Sequence, residues 1–311
     1  FRANFPNTSL IEDDIRAVSD KTIKSSFSGV DLVVGGPPCQ GFSVAGPSQY
    51  GILDDRNNLV LEYLRVISIL KPKMVVMENV KNFLNGKLPS KDLVIDVVKQ
   101  RLQDLDYKVK VQVTYAPDFG IPQSRTRVFV IATHNKANIK FPAIEPTHGF
   151  ALSPYVNVED AIYDLPFIGV SEGYDNSPEK FQYRDIALSD YQKIMRLDSP
   201  GIFNHMSMKH TSRLIERFKH IPQGGSLLDV PEELLTPHLR KMKNGSYGSG
   251  GHVKNIYGRM DWGKPSGTIV AGIDKITCGR YVHPEENRLI TPRECARIQS
   301  FPDWFRFKGS N

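Results

Sequence analysis

Residues 35–46, GGPPCQGFSVAG, put a cysteine, Cys39, on a proline-stiffened loop directly after a short apolar run, DLVVGG at 31–36. A β-branched run that ends in two glycines reads as a buried strand of a parallel sheet running out into a loop. Ligands of open α/β sheets gather at such strand ends. Pro37 and Pro38 fix φ at two successive residues and restrict where the Cys39 sulfur can point, while the surrounding glycines let a flat substrate come close. A thiol held in this way can act as a nucleophile, although taken alone it reads more readily as a buried structural cysteine.

Two further strand ends change that balance. KMVVMENV at 73–80 runs out into a carboxylate and an amide, Glu78 and Asn79. TRVFVIAT at 126–133 is entered through QSRTR, so Arg125 and Arg127 fall two residues apart and on one face. Singly, Glu78 reads as a solvated strand-end carboxylate and each arginine as a surface charge. Together with Cys39 they supply a thiolate, a proton-bearing carboxyl and a guanidinium at the rims of consecutive α/β units. That set suits attack on a polarised heterocycle.

The elements needed to position these groups are legible along residues 1–142. After the strand at 31–36, residues 58–70 carry Leu59, Leu61, Leu64, Val66, Ile67 and Leu70 at helical spacing and stop before Pro72. A strand at 73–78, a helix near 91–105 and strands near 108–115 and 126–133 follow. The alternation predicts an α/β fold, a doubly wound and mostly parallel sheet with right-handed crossovers. From Phe141 a proline-rich stretch, FPAIEPTHGFALSP, marks a boundary and opens a second, smaller domain over 143–286. That domain has a helix at 211–220, ended by PQGG, and a segment at 238–259, HLRKMKNGSYGSGGHVKNIYGR, where basic residues and tyrosines alternate with glycines. The segment reads either as a flexible surface loop or as a nucleic-acid recognition loop, because lysine and arginine bind phosphate and read guanine edges. Lys241, Lys243, Tyr247 and Lys254 are its candidate DNA contacts. Residues 287–311 hold RLITPRECARIQSFPDWF, in which Thr291 stands before a proline and Glu294 falls at the third helical position, a capping-box arrangement. Cys295, Ala296 and Ile298 form the apolar side expected to pack this helix between the domains.

Composition narrows the class. Lys plus Arg number 40 against 34 for Asp plus Glu, a formal charge of +6 that suits a polyanionic partner without requiring one. Cys39, Cys278 and Cys295 are odd in number and widely spaced, which argues against a disulfide framework and against a cysteine-rich metal site. No apolar run approaches the roughly 18 residues of a membrane span, and the first residues do not read as a signal peptide. An intracellular, reducing location is the resulting expectation.

Taken in order, PPCQGFS, DDRNNL with its aromatic helix, ENV, QSRTRVFVIA and RLITPRECARIQSFPDWF make the chain resemble the cytosine-5 DNA methyltransferases of bacterial restriction-modification systems, from about residue 4 to residue 311. The resemblance implies an S-adenosylmethionine-dependent methyltransferase of Rossmann-like fold that flips a cytosine out of double-stranded DNA. Cys39 matches the thiolate that adds to C6 and makes C5 able to accept a methyl group. Glu78 matches the acid that serves N3, a role that calls for a protonated carboxyl in an apolar, water-poor pocket. Arg127 matches the arginine that holds O2, with Arg125 and Gln123 in support. Asp14 and Ile15 match residues that meet the adenine of the cofactor, and the backbone of Gly36 and Pro37 together with Leu59 matches the remainder of that site. Ser43 and Gln49 lie on a loop, 41–56, long enough to close over a flipped nucleotide and contact the DNA. The family's variable recognition region falls between the QSRTR strand and the TPRECARIQ helix, and a bacterial cytoplasmic setting goes with the resemblance.

Two family motifs have no counterpart here: a glycine-rich loop with its following acidic residue, and a terminal glycine-asparagine segment. Both belong to the cofactor pocket. The expectation is therefore a portion of a longer enzyme, or one partner of a split enzyme that is inactive until a second polypeptide supplies those motifs. A DNA-binding pseudoenzyme is the alternative from another class, against which the intact Cys39, Glu78 and Arg127 speak. A transfer-RNA methyltransferase of the same fold would carry a Cys-Phe-Thr signature, yet no cysteine occurs between Cys39 and Cys278. A zinc nucleobase deaminase is set aside, because PPCQGFS lacks the second cysteine of a PCxxC pair and the His-x-Glu at 283–285 follows the cysteine instead of preceding it.

Overall fold

The computed structural model describes residues 1–38, 58–88, 91–170, 182–245 and 253–309. Contacts divide the chain into two units. A sheet unit comprises Ser9–Tyr115 and Thr126–Glu145, and a second unit comprises Phe1–Thr8, Ala116–Arg125 and Pro146–Asn311. Cys39, Ser43, Gln49 and Tyr247 lie outside the described residues.

The sheet unit is α/β. Its elements run α1 (Asp20–Phe27), β1 (Leu32–Gly35), α2 (Asn58–Leu70), β2 (Met74–Val80), α3 (Val94–Asp104), β3 (Tyr107–Tyr115) and β4 (Thr126–His134), and the strand order is β1-β2-β4-β3. Of the described strands only β1 and β2 pair in parallel; β4 is antiparallel to both its neighbours. The described sheet is thus mixed where a mostly parallel one was expected, and chain length gives the reason. Ten residues separate β3 from β4, which closes an antiparallel pair but leaves no room for a crossover helix. β2 and β3, joined through α3, do run the same way, with β4 inserted between them.

The core of this unit gathers Val60, Leu64 and Ile67 of α2, Ile95, Val98 and Leu102 of α3, and Val75, Met77, Val130 and Ala132 of the sheet. The α2 stripe is rotated from the expected one: Val60 is buried and Leu61 exposed. β1 departs further from expectation. In the described sheet it is an edge strand covered on one face only, with Val33 turned to the core and Leu32 and Val34 50% and 66% exposed. Arg65 ties the chain before β1 to α2, donating to the carbonyls of Ile15 and Val18 and pairing with Asp20 and Glu62.

The second unit is built from short helices: α4 (Val158–Ile162), α5 (Asp190–Arg196), α6 (Ser212–Lys219), α7 (Pro237–Lys243) and α8 (Pro292–Ile298). The Thr291 hydroxyl accepts from the Glu294 N–H and the Glu294 carboxylate accepts from the Thr291 N–H, so the capping box of α8 forms as the sequence predicts. Helices this short have little stability of their own, and packing must hold them. α8 is buried from Arg293 to Ile298, with Cys295 and Ile298 in one core with Val158, Ala161 and Ile162 of α4. Its charged residues are buried too. Arg297 lies between Asp164 and Asp303, Arg288 pairs with Glu294 through both carboxylate oxygens, and Arg293 donates to the carbonyls of Phe203, Pro302 and Phe305. Buried charges of this kind persist only when fully partnered.

Candidate active site

β2 and β4 bring the acid and the guanidinium together. In their antiparallel register Glu78 faces Phe129 and Val80 faces Arg127, so Glu78 and Arg127 are diagonal neighbours on one face of the sheet. Arg127 Nε stands 2.7 Å from Glu78 Oε1, a close ionic contact whose N–H is not aligned as a hydrogen bond. Arg127 Nη1 donates to the Thr126 carbonyl at 2.7 Å. Among the described residues the Glu78 side chain is 36% exposed and has a cation beside it, in place of the apolar enclosure expected around this carboxyl.

β1 delivers the start of the cysteine loop to the same carboxylate. A Cβ on Gly36 would lie 3.3 Å from Glu78 Oε2, so the bare α-carbon is what lets chain and carboxylate approach this closely. Asn79 points to the other face of β2 and is 4% exposed. Its Nδ2 donates to the Pro37 carbonyl at 3.0 Å and its Oδ1 accepts from the Val80 N–H. Adjacent residues of one strand end therefore differ in what they meet, Glu78 presenting a carboxylate to Arg127 and Asn79 fastening the chain two residues before Cys39. Sequence reasoning noted the amide of Asn79 without giving it this task. Alternation along the strand was the available signal.

Of the residues expected at a cofactor, Asp14 is exposed and accepts from Arg16 through the backbone N–H, Nε and Nη2. The hydrogen bonds from the Arg16 side chain, first among the causes, hold its carboxyl down at about 2. An ionised acceptor of this kind suits an amino group such as that of adenine. Ile15 and Leu59 are partly buried, and Arg65 fastens the Ile15 carbonyl to the helix that begins beside Leu59. Asp14, Ile15, Gly36, Pro37 and Leu59 thus offer an acceptor, apolar surface and backbone groups within one unit, a set that fits part of a nucleoside site.

Arg125 and Gln123 belong to the second unit. The Arg125 carbonyl accepts from Ala116, and the segment before it is laddered to residues 266–268: Ser124 N to the Ser266 carbonyl at 2.7 Å, Ser266 N to the Pro122 carbonyl at 2.9 Å, and Thr268 Oγ1 to the Ser124 carbonyl at 2.8 Å. Lys241 and Lys254 are exposed. Lys243 is committed to the fold, its ammonium donating to the Val230 carbonyl at 2.7 Å. Burial pushes the Cys295 thiol well up, which makes it inert, and Cys278 is exposed. Among the described residues no helix is long and apolar enough to cross a membrane.

The model of the C-5 cytosine-specific DNA methylase family matches residues 1–311. The chain is 36% identical over 307 residues to the type II methyltransferase M.DdeI of Desulfomicrobium norvegicum, covering 98% of this chain and 71% of that protein. It is 33% identical over 317 residues to the type II methyltransferase M1.HphI of Haemophilus parahaemolyticus, covering 99% and 70%. Among solved structures, a prophage-encoded Escherichia coli protein provisionally described as a DNA modification methyltransferase superposes with a TM-score of 0.71 at 24% identity, over 98% of this chain and 79% of the other, a likeness of fold.

Proposed function

Because the chain belongs to the C-5 cytosine-specific DNA methylase family, we propose that Cys39, Glu78 and Arg127 carry out its methyl transfer to C5 of a cytosine flipped out of duplex DNA. The observation that carries this reading is the meeting of three strand ends: the Glu78 carboxylate lies 2.7 Å from Arg127 and against Gly36, three residues before Cys39. The thiolate of Cys39 adds to C6, the Glu78 carboxyl serves N3 as electrons move into the ring, and C5 becomes nucleophilic. The Arg127 guanidinium, anchored on Thr126, is placed to hold O2. A flat base seated over Glu78 excludes the water that now reaches it. Membership implies S-adenosylmethionine as methyl donor, which when bound supplies an electrophilic methyl on a sulfonium. Asp14, Ile15, Leu59 and the backbone of Gly36 and Pro37 are the residues here that would hold it. The remaining steps, loss of the C5 proton and elimination of the thiolate, need a base that no residue identified here supplies.

Cys39→Ser tests the nucleophile. It should abolish methyl transfer while sequence-specific duplex binding persists, because a hydroxyl of much higher pKa fits the loop but cannot add to C6. A duplex with 5-fluorocytosine at the target should trap an adduct through Cys39, since fluorine cannot leave as a proton does. Substantial turnover by the serine variant would remove the assignment.

A second reading is favoured by the edge position of β1 and the exposure of Leu32 and Val34: a second polypeptide covers this side of the sheet and contributes to cofactor binding. Calorimetry of the chain alone decides it, since micromolar S-adenosylmethionine binding without a partner would show that none is needed.

A further inference from the structure

Gly35 closes β1 and stands four residues before Cys39. Its backbone is outside the left-handed region, so conformation does not demand glycine there. Tyr63 does. A Cβ on Gly35 would lie 2.5 Å from Tyr63 Cε2 and 2.9 Å from Cδ2, contacts that real Cβ atoms do not make. The ring is not free to swing aside, because its hydroxyl donates to the Val76 carbonyl of β2 at 3.0 Å and reaches the Val33 carbonyl of β1 at 3.4 Å. Burial pushes the phenol pKa up, which keeps that donor protonated.

We propose that Tyr63 is a positioning residue for the nucleophile loop: packed against Gly35 and bonded to both flanking strands, it fixes where the chain leaves β1 toward Gly36, Pro37 and Cys39. This rests on the reading of Cys39 as nucleophile. The two prolines make the contact matter, because a chain stiffened immediately after Gly36 carries a displacement forward instead of absorbing it. Asn79 holds the Pro37 carbonyl from below, so the loop is fastened at two successive points, by a ring before the prolines and by an amide at the first of them. Tyr63 also lies one helical turn after Leu59, so the helix that offers a cofactor contact is the one that braces the loop.

The test is a size exchange in the full chain: Gly35→Ala, Tyr63→Leu and the double variant, compared by single-turnover adduct formation with 5-fluorocytosine duplex, cofactor affinity, affinity for an abasic-target duplex, and Tm. Gly35→Ala should slow adduct formation by about 10- to 100-fold, as expected for a small misplacement of a reacting group, with cofactor and abasic-duplex affinities unchanged. The double variant, in which the smaller leucine makes room for the new methyl, should recover most of the lost rate. A wild-type adduct rate in Gly35→Ala, or a double variant as slow as Gly35→Ala, overturns the proposal. Should Gly35→Ala fail to fold, Tyr63→Leu decides alone: a slower adduct at intact affinities supports the proposal and an unchanged rate overturns it. Cys39→Ser run in parallel keeps the two ideas apart. If it still methylates, the nucleophile reading has failed; if it is dead while Gly35→Ala is fast, only the role of Tyr63 has failed.

Discussion

Glu78 and Asn79 are adjacent, yet the strand turns them to opposite faces, and their substitutions should fail differently. Glu78→Gln keeps a hydrogen-bond donor for N3 but cannot transfer a proton, so turnover should fall by about 10²- to 10⁴-fold, while binding to an abasic-target duplex changes little. Asn79→Ala removes the donor to the Pro37 carbonyl and leaves that buried oxygen unpaired, at a cost of about 1–3 kcal/mol in stability. Its adduct rate should drop together with Tm. If abasic-duplex affinity in Glu78→Gln fell as far as turnover, Glu78 would be holding the fold or the DNA backbone and not the base.

At the scale of elements, the capping box of α8 reaches further than its own helix. His205 Nε2 donates to the Pro166 carbonyl at 2.8 Å, so its Nδ1 is free to accept from the Thr291 hydroxyl at 2.9 Å, and that hydroxyl in turn caps Glu294. Thr291→Ala therefore removes a cap and strands a buried imidazole nitrogen, and should cost about 2 kcal/mol, at the top of the range for caps. A denaturant midpoint like the wild type would show that water replaces the hydroxyl. On α7 the prediction divides residues of one helix: Lys241→Ala should weaken binding to all duplexes and lower the salt slope by about one, whereas Lys243→Ala, losing its bond to Val230, should act on stability first. The reverse outcome would move the recognition surface elsewhere.

The elements that sequence predicts well are those whose cause is local. α2 and the capping box of α8 are written in spacing and in one residue pair, and the strands carrying Glu78 and Arg127 in their apolar runs. Partnership across the sheet is not local. The ten-residue link makes β4 antiparallel to β3, but nothing near it announces that β4 also inserts beside β2, and the buried charges of Arg288, Arg293 and Arg297 look in sequence like any polar surface. The meeting of Glu78 and Arg127 was legible because strand ends converge in α/β sheets; the packing of Tyr63 against Gly35 was not, since a glycine in a strand states that something is near without saying what.

Across the whole molecule, buried ionisable groups are unevenly shared, which sets how the protein should fail in acid. His283 is buried beside Glu294, and burial, the dominant influence, pushes its pKa from 6.5 to about 3. Its Nδ1 already accepts from the N–H groups of Glu285 and Glu286, so a second proton has no place. Burial also lowers His205 and His210. A histidine whose folded pKa is depressed contributes fully above its unfolded value, near 6.5, and loses that contribution as pH falls toward the folded one. Each proton taken up only by the unfolded chain removes about 1.36 kcal/mol per pH unit. Glu294 acts lower: burial alone would raise it, but Arg288 overrides burial and holds it far below 4.5, so its share is lost only as pH drops beneath that value. In alkali, burial raises Tyr107 and Tyr191 from 10 to about 12, and their contributions fade as pH rises through that interval. The histidines and Glu294 lie in the second unit, whereas the depressed carboxyl of the sheet unit, Asp14, matters only below 3.8. Both tryptophans, Trp262 and Trp304, also lie in the second unit, so fluorescence reports on it alone. Between pH 6.5 and 4.5 the urea midpoint read by fluorescence should fall steadily, while hydrogen-exchange protection of β2 and β4 amides persists. A flat midpoint, or sheet amides that open first, would show that the histidines titrate normally in the fold and that acid reaches the protein by another route.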